Sequence, residues 1–180
     1  MKGKGTGTRI DLTWDKVKGA TGYDVYWSYC NGKNNFNKLA NVPKSQKYAD
    51  KNLNNKKEYK YFTVAYKMSG GKKVYLGRTN TVHVAMPYAA KTNVLKVTVN
   101  KTKVNLAKGK TFKITKKVKL ENSKKKALNH LTKKERFITS NAKVATVSSA
   151  GVIKAVRKGT CTIYVMSENG VCAKIKVTVK

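Results

Sequence analysis

The side chains that most often carry out chemistry in proteins are scarce in this sequence. Its 180 residues include two histidines, three cysteines and eight acids. The two histidines, His83 and His130, lie in different halves of the chain. A two-histidine metal site or a cysteine–histidine nucleophile pair would therefore have to form between the halves. The acids are scattered, and none forms the Asp-x-Asp pattern of a calcium loop.

Asp11 and Asp15 are the two acids whose spacing places them on one face of an extended strand. At the rise of a strand they lie about 13 Å apart, which is too far for a paired general acid and base in most hydrolases. The sequence also lacks a Gly-Lys-Ser/Thr phosphate loop and a Gly-x-Ser-x-Gly elbow. We therefore expect no enzyme, no metal site and no other cofactor.

The cysteines do not predict a disulfide framework, because their number is odd and their spacing does not fit a metal site. Cys30 is expected at the end of a strand. Cys161 and Cys172 fall in the last predicted hairpin, whose apolar residues share one face if the turn spans residues 168–170 and Gly170 is left-handed. Cys161 is then a core residue and Cys172 a surface thiol on the opposite face, so the two cannot bridge.

The charge is the most unusual property of the chain. The sequence has 40 lysines and arginines but only 8 acids, for a net charge of +32. It is spread over both halves, with 17 basic and 5 acidic residues in 1–88 and 23 and 3 in 89–180. Such a chain attracts polyanions, whether nucleic acid, teichoic acid, sulfated glycan or an anionic membrane surface.

Most of the basic residues are lysines rather than arginines. Lysine favours diffuse attraction to an anion over the reading of base edges, so no sequence-specific nucleic-acid partner is expected. The alternative is that the charge serves solubility alone.

Alternating apolar residues predict short strands along the first half of the chain. The pattern is clear at residues 10–14 and 23–27, and Asn31-Gly32 is a hairpin signal after the second of these. Tyr59, six residues after Leu53, has the spacing of a tyrosine corner, in which the phenol bonds upstream backbone.

Together, the runs Leu-Thr-Trp, Gly-Ala-Thr-Gly-Tyr-Asp-Val-Tyr and Tyr-Lys-Tyr-Phe-Thr-Val-Ala-Tyr resemble a fibronectin type III domain over residues 8–84. The resemblance implies a β-sandwich, which we place at residues 1–86. Alternate residues from Tyr59 to Ala65 would face inward, and among them Thr63 stands where that family usually has a branched apolar residue. The chain has no Arg-Gly-Asp triplet, so the resemblance does not extend to integrin binding.

Residues 85–92 separate two patterns, and the second half again shows short strands punctuated by Gly, Ser and Asn. The stretch from Ser140 to Val165 contains Val-Ala-Thr-Val-Ser, Gly-Val-Ile and Gly-Thr-Cys-Thr-Ile. This stretch resembles the bacterial immunoglobulin-like domain, group 2, which we place at residues 92–180. The resemblance implies a non-catalytic module of surface and secreted bacterial proteins. The expected fold is all-β, with two tandem immunoglobulin-like β-sandwich domains.

Residues 120–136 are less typical of that family and concentrate positive charge. Leucines and Ala127 share one helical face in this segment, which predicts a loop with a short amphipathic helical turn. Its basic residues are the candidate polyanion site: Lys124, Lys125, Lys126, Lys133, Lys134 and Arg136. The alternative is a solvated loop with no dedicated partner.

A second candidate site is an aromatic strip on the outward side of the first sandwich. If Tyr23 and its alternate neighbours point inward, Tyr26, Phe62 and Tyr66 point outward from adjacent strands. Such a strip would serve as a glycan platform or as a docking face. The alternative is that aromatic residues simply favour strands and are covered by lysine stems such as that of Lys60.

The charge and the two resemblances favour a non-catalytic adhesion or spacer module that is extracellular or associated with the cell wall. Its expected partners are an anionic cell-wall polymer, a glycan or a host surface protein. The alternative is an accessory carbohydrate-targeting module of a larger extracellular hydrolase. No apolar run approaches the roughly 20 residues of a membrane span, and no signal peptide precedes the first strand pattern. We therefore expect a fragment of a longer secreted protein, with Met1 foreign to it.

Overall fold

The computed structural model describes residues 1–31, 33, 35–129 and 136–180, and over these ranges the regular secondary structure is entirely β. The described residues divide into two compact units. The first unit contains residues 1–93 and 124–129, and the second contains residues 94–123 and 136–180. The prediction of an all-β chain is confirmed. The predicted hairpin at Asn31-Gly32 includes Gly32, which lies outside the described residues.

The core of the first unit is built from two sheets, to which a two-stranded sheet is added at the end of the unit. Its strands up to residue 93 are β1 (Lys2–Thr6), β2 (Arg9–Thr13), β3 (Gly22–Tyr29), β4 (Asn37–Pro43), β5 (Lys47–Asp50), β6 (Glu58–Ser69), β7 (Lys72–Arg78), β8 (Val82–Ala85) and β9 (Lys91–Thr92). One sheet has the order β1-β2-β5, and the other has the order β4-β3-β6-β7, with β8 also pairing β6. The 12-residue strand β6 is therefore the element to which most of the larger sheet attaches.

The two sheets of the first unit enclose one core, because alternate residues of a strand point to the same side. Ile10 and Leu12 of β2 are fully buried there with Tyr61 of β6. Thr63 and Ala65 lie on the same side of β6 and are buried as well. The predicted inward face of this strand is confirmed.

The tyrosine corner predicted at Tyr59 is also confirmed. The backbone N–H of Asn54 donates a hydrogen bond to the Tyr59 hydroxyl at 3.0 Å. The side chain is 1% exposed, so the bond satisfies a phenol that the core would otherwise isolate from water.

Strand β1 was not predicted, because its Lys-Gly-Lys-Gly run has no apolar alternation. It pairs antiparallel with β2, from Lys2 opposite Thr13 to Thr6 opposite Arg9. A Cβ atom at Gly3 would lie 2.5 Å from Cγ2 of Val84. Glycine is therefore what lets this strand approach the core so closely.

The end of the first unit is a packed segment rather than an open linker. Its Asn93 side chain bonds both backbone groups of Ala85, accepting from the N–H and donating to the carbonyl at 2.8 Å each. Strand β14 (Lys126–Ala127) pairs in parallel with β9. The N–H of Leu128 donates to the carbonyl of Thr92 at 2.8 Å, so residues 124–129 extend the structure of the first unit.

The helical turn predicted within residues 120–136 is therefore wrong over the described residues 120–129. Leu128 is buried against Ala85 and Ala89, and β14 satisfies its backbone groups on β9 rather than within a helix. Short apolar runs do not distinguish a buried helix face from a buried strand. The leucine spacing was compatible with both.

The second unit is a separate β-sandwich. Its described strands are β10 (Val94–Val99), β11 (Lys103–Leu106), β12 (Thr111–Lys113), β13 (Lys116–Leu120), β15 (Arg136–Thr139), β16 (Ala145–Val147), β17 (Val152–Ala155), β18 (Gly159–Met166) and β19 (Cys172–Val179). They form a four-stranded sheet β11-β19-β18-β15, a three-stranded sheet β12-β17-β16 and the pair β10-β13. Strand β11 runs parallel to β19, and the other pairs are antiparallel.

The last hairpin of the second unit has the predicted geometry. Cys161 is 4% exposed within the core, whereas Cys172 lies opposite Met166 on the other face of the sheet and is half-buried. Gly170 has φ +84°, the left-handed conformation that the three-residue turn requires. The core position of Cys161 and the separation of the two thiols are confirmed, and all three cysteines of the chain are unbridged.

Over the ranges that the structure describes, no helix has the length and apolar character to cross a membrane. The same residues contain no group of three or more His, Cys, Asp or Glu side chains placed to hold a metal ion.

Candidate functional site

The described residues of the predicted lysine site are divided between the two units. Lys124, Lys125 and Lys126 belong to the first unit, and Arg136 begins β15 of the second. Lys133 and Lys134 lie outside the described residues.

Among the three consecutive lysines, Lys125 has a structural role. Its ammonium group donates to the carbonyls of Pro87 and Ala89 at 3.0 and 2.7 Å. Lys124 and Lys126 are exposed. Lys125 therefore fastens the end of the first unit, between two exposed lysine residues.

Arg136 is half-buried on the outward side of β15, opposite Met166 of β18. Burial lowers the pKa of the guanidinium, and the carboxylate of Glu168 acts in the opposite direction. Arginine remains protonated in proteins even so. Arg136 is thus a permanent positive charge at one edge of the four-stranded sheet.

The outward side of this sheet forms a cationic surface, which we call the lysine face. Ile163, Ile175 and Val177 point into the core and are fully buried, so their sequence neighbours point outward. The lysine face includes Lys103, Asn105, Arg136, Ile138, Thr160, Thr162, Tyr164, Lys174, Lys176 and Thr178. None of these residues is acidic. Sequence analysis missed the face because it joins strands that are far apart along the chain.

Lysines lie directly opposite each other on two strand pairs of the second unit. Lys103 faces Lys176 between β11 and β19, and Lys96 faces Lys119 between β10 and β13. Directly opposed side chains share one side of a sheet, with Cβ atoms about 5 Å apart. Two ammonium groups so placed repel each other, and an anion bound between them relieves the repulsion.

An aromatic ring accompanies the charges of the lysine face. The ammonium group of Lys174 lies 5.7 Å from the ring centroid of Tyr164, and the two residues are opposite each other on β19 and β18. This distance is within the range of a cation–π contact.

The predicted aromatic strip lies on the side of β3 and β6 away from the main core. Tyr26 and Phe62 stack there with ring centroids 4.9 Å apart and planes inclined by 10°. The guanidinium carbon of Arg78 lies 3.8 Å from the Phe62 centroid, and the Lys73 ammonium group lies 4.1 Å from the Tyr66 centroid. Phe62 and Tyr66 are consequently only 8% and 5% exposed.

A buried carboxylate anchors the cations of this strip. Asp24 has no exposed surface and accepts from Lys73 at 2.8 Å, Lys38 at 3.0 Å and the Asn41 amide at 2.7 Å. Burial alone would raise the pKa of Asp24, but the hydrogen bonds from Lys73, Asn41 and Lys38 hold it below its ordinary value. The network orders the lysine stems over the rings.

A cysteine–histidine pair does form, and it forms within the first unit. The Sγ atom of Cys30 lies 3.3 Å from Nδ1 of His83. The expectation that such a pair would have to join the two halves is wrong, because it overlooked that Cys30 and His83 belong to the same half. Cys30 also lines a pocket of about 380 Å³ with Tyr29, Asn31, Lys56, Lys57, Glu58 and Ala90.

The class of protein follows from these findings and from comparisons with known proteins: the chain consists of two tandem immunoglobulin-like β-sandwich domains, as predicted. The sequence model of the bacterial Ig-like domain (group 2) matches residues 93–179, which confirms the resemblance noted for the second half. No curated protein matches the chain.

Several solved structures are similar to the chain. The S-layer protein rSbsC is 18% identical, with a TM-score of 0.41 over 92% of this chain and 21% of its own. Domains 4 and 5 of S-layer protein SbsC are 17% identical, with a TM-score of 0.39 over 94% and 79%. The C-terminal fragment of intimin, solved with the intimin-binding domain of its translocated receptor, is 15% identical, with a TM-score of 0.31 over 100% and 64%. The chain thus spans about a fifth of the length of rSbsC.

Proposed function

We propose that this chain is a non-catalytic segment of a bacterial cell-surface or secreted protein, which spaces domains and adheres to anionic polymers through lysine. The match of residues 93–179 to the bacterial Ig-like family supports the surface location. The proposed domains are a fibronectin type III-like sandwich at 1–86 and a group 2 immunoglobulin-like sandwich at 92–180. The tyrosine corner at Tyr59 supports the first assignment.

The observation that carries the proposal is the pairing of like charges on the second unit. Lys103 with Lys176 and Lys96 with Lys119 are held side by side by strand register. Such pairs destabilise a free sheet. Eight acids cannot neutralise 40 basic residues even one to one, so the charge balance must come from outside the chain.

The anionic partner that best fits this surface is a flexible polymer with regularly spaced charges, such as teichoic acid. Lysine ammonium groups are hydrated point charges on flexible stems, suited to diffuse contacts with many phosphates rather than to one fixed geometry. The lysine face is the first proposed contact, and the exposed Lys124 and Lys126 are the second.

Binding across a salt series tests this function. The panel comprises teichoic acid, heparin, random-sequence duplex DNA and a neutral polysaccharide, each titrated with the intact chain. We expect the three polyanions to bind, and the logarithm of each association constant to fall linearly with the logarithm of salt concentration, as counterion release requires. Salt-independent binding to the neutral polysaccharide, or a preference for one DNA sequence at high salt, would refute the proposal.

A further inference from the structure

The cysteine–histidine pair of the first unit lies outside the function proposed above. Cys30 follows the last residue of β3, and its N–H donates to the carbonyl of Glu58 at 3.0 Å, which fixes the backbone against the start of β6. His83 is in the middle of β8, opposite Lys60 of β6. Three neighbouring strands therefore set the distance between the thiol and the imidazole.

The two side chains differ in their access to solvent. His83 is 7% exposed, whereas Cys30 is half-buried and lines the pocket of about 380 Å³. The imidazole is thus held within the protein, and Cys30 borders the space that a reagent can enter. A volume of this size lies within the usual range for small-molecule sites.

The charges around the pair favour an anionic thiol. Lys56 and Lys57 line the pocket together with the single acid Glu58. Nearby cations stabilise a thiolate, which is the reactive form of cysteine. The same lysines attract a reagent that bears carboxylates.

We propose that Cys30 and His83 form a thiol–disulfide exchange site for small, negatively charged disulfides. His83 accepts the proton of the Cys30 thiol, and the thiolate attacks one sulfur of the incoming disulfide. A new bond joins Sγ of Cys30 to that sulfur, the original disulfide bond breaks, and the second half leaves as a thiolate. The product is a mixed disulfide on the first unit, and no further oxidant is required.

The two other cysteines provide internal controls. Cys161 is buried in the core of the second unit, whereas Cys172 is half-buried, as Cys30 is, and lies opposite Met166. An imidazole that accepts the thiol proton increases the fraction of thiolate, and the lower nucleophilicity of a more acidic thiol offsets part of that gain, so we expect a rate advantage of about threefold for Cys30.

The test is the rate of labelling at each cysteine of the intact chain, read by peptide mass spectrometry. The probes are dithiobis(nitrobenzoate), which bears two carboxylates, and the uncharged dithiodipyridine. We expect Cys30 to react first with the anionic probe, by at least about threefold over Cys172 at neutral pH. We also expect the labelling rate of Cys30 with the anionic probe to fall as salt is added, and its rate with the uncharged probe to stay constant.

The variant His83→Gln tests the role of the imidazole, because glutamine cannot accept the proton. We expect Cys30 to fall to the rate of Cys172, while unchanged fluorescence of Trp14 and Trp27, which both belong to the first unit, shows that the fold around the pair is intact. If the first unit of the variant unfolds, the wild-type chain still decides the question through the ratio of Cys30 to Cys172 labelling, which should rise as the pH is lowered from 8.5 to 6.5. Equal rates at the two thiols, or a Cys30 rate unchanged by His83→Gln in a folded variant, would overturn the proposal.

Discussion

At the residue scale, the most informative position in the first unit is Thr63, whose buried hydroxyl has no hydrogen-bond partner among the described residues. The side chain is 1% exposed and sits on the core side of β6. A buried polar group without a partner loses its hydration and gains nothing in return. The predicted departure from an apolar residue thus corresponds to a physical weakness in the core.

We expect Thr63→Val to stabilise the first unit by about 1 kcal/mol, because valine has the same shape without the unsatisfied hydroxyl. Urea denaturation measures the change in the free energy of unfolding. Thr13→Val, at an exposed position of β2, is the matched control and should change stability little. A loss of stability in Thr63→Val would show that the hydroxyl has a favourable interaction.

Asp24 gives a prediction about pH. Its pKa is lowered in the folded state, so its stabilising contribution is present above the unfolded pKa and is lost as the pH falls through the folded pKa. We expect Asp24→Asn to cost about 2 kcal/mol at neutral pH, since it removes a buried acceptor of three hydrogen bonds.

The difference in unfolding free energy between wild type and Asp24→Asn should shrink as the pH is lowered below about 4. Burial raises the pKa of Asp50 despite the hydrogen bond from Tyr61, so Asp50 changes the stability with pH in the opposite direction. Both proteins contain Asp50, and its effect therefore cancels in the difference between their unfolding free energies. The exposed Asp11, paired with Arg9 at 2.9 Å, provides the control Asp11→Asn, which should show little pH-dependent difference. A constant difference for Asp24→Asn from pH 7 to pH 2 would contradict the account.

At the element scale, the segment of residues 124–129 completes the first unit although it lies within the sequence of the second. Strand β14 pairs with β9, and Leu128 is buried against Ala85 and Ala89. Lys125 adds two hydrogen bonds to carbonyls of the same region. We infer that the segment stabilises residues 85–93.

We expect Leu128→Ala to lower the local stability of residues 85–93 by about 2 kcal/mol, the low end of the range for a buried leucine. Amide hydrogen exchange measures this as faster exchange at β9 and at Ala89. Leu95→Ala is the control, because Leu95 is 50% exposed. Unchanged exchange at residues 85–93 in Leu128→Ala would show that β14 is not needed to hold them.

The strands that the sequence predicts well are those in which apolar residues facing the core alternate with polar residues. The pattern at residues 23–27 became β3, and the turn at 168–170 formed with Gly170 in the left-handed conformation, because side-chain period and turn chemistry are local properties. Strand β1 was not predicted, since its place depends on the closeness of Gly3 to Val84. That contact is tertiary and leaves no local pattern.

The candidate sites were harder to predict than the strands, for the same reason. The lysine face combines Lys103 with Lys174 and Lys176, about 70 residues later in the sequence, and only strand order places them together. The pair of Cys30 with His83 likewise depends on β8 lying beside β6. The alternation of side chains along a strand assigned the aromatic strip to the outward side. It could not predict that Arg78 and Lys73 cover the rings of the strip.

At the scale of the whole molecule, the sequence carries far more positive charge than either unit can balance internally. Ion pairs of the described residues include Arg9 with Asp11 and the two lysines on Asp24. With a net charge of +32, nearly all other ammonium groups must be neutralised by counterions or by a polyanionic partner. The chain is therefore expected to bind such polymers with a steep dependence on salt.

The measurement that tests the central claim most directly is teichoic acid binding by the double variant Lys174→Glu/Lys176→Glu. Both lysines are exposed on strand β19 and make no contribution to the core, so the fold should persist. The matched control is Lys2→Glu/Lys4→Glu, which reverses the same number of charges on the exposed positions of β1. We predict that the lysine-face variant binds about tenfold more weakly than the control and shows a smaller salt slope. Equal affinity of the two variants would contradict the assignment of binding to the lysine face.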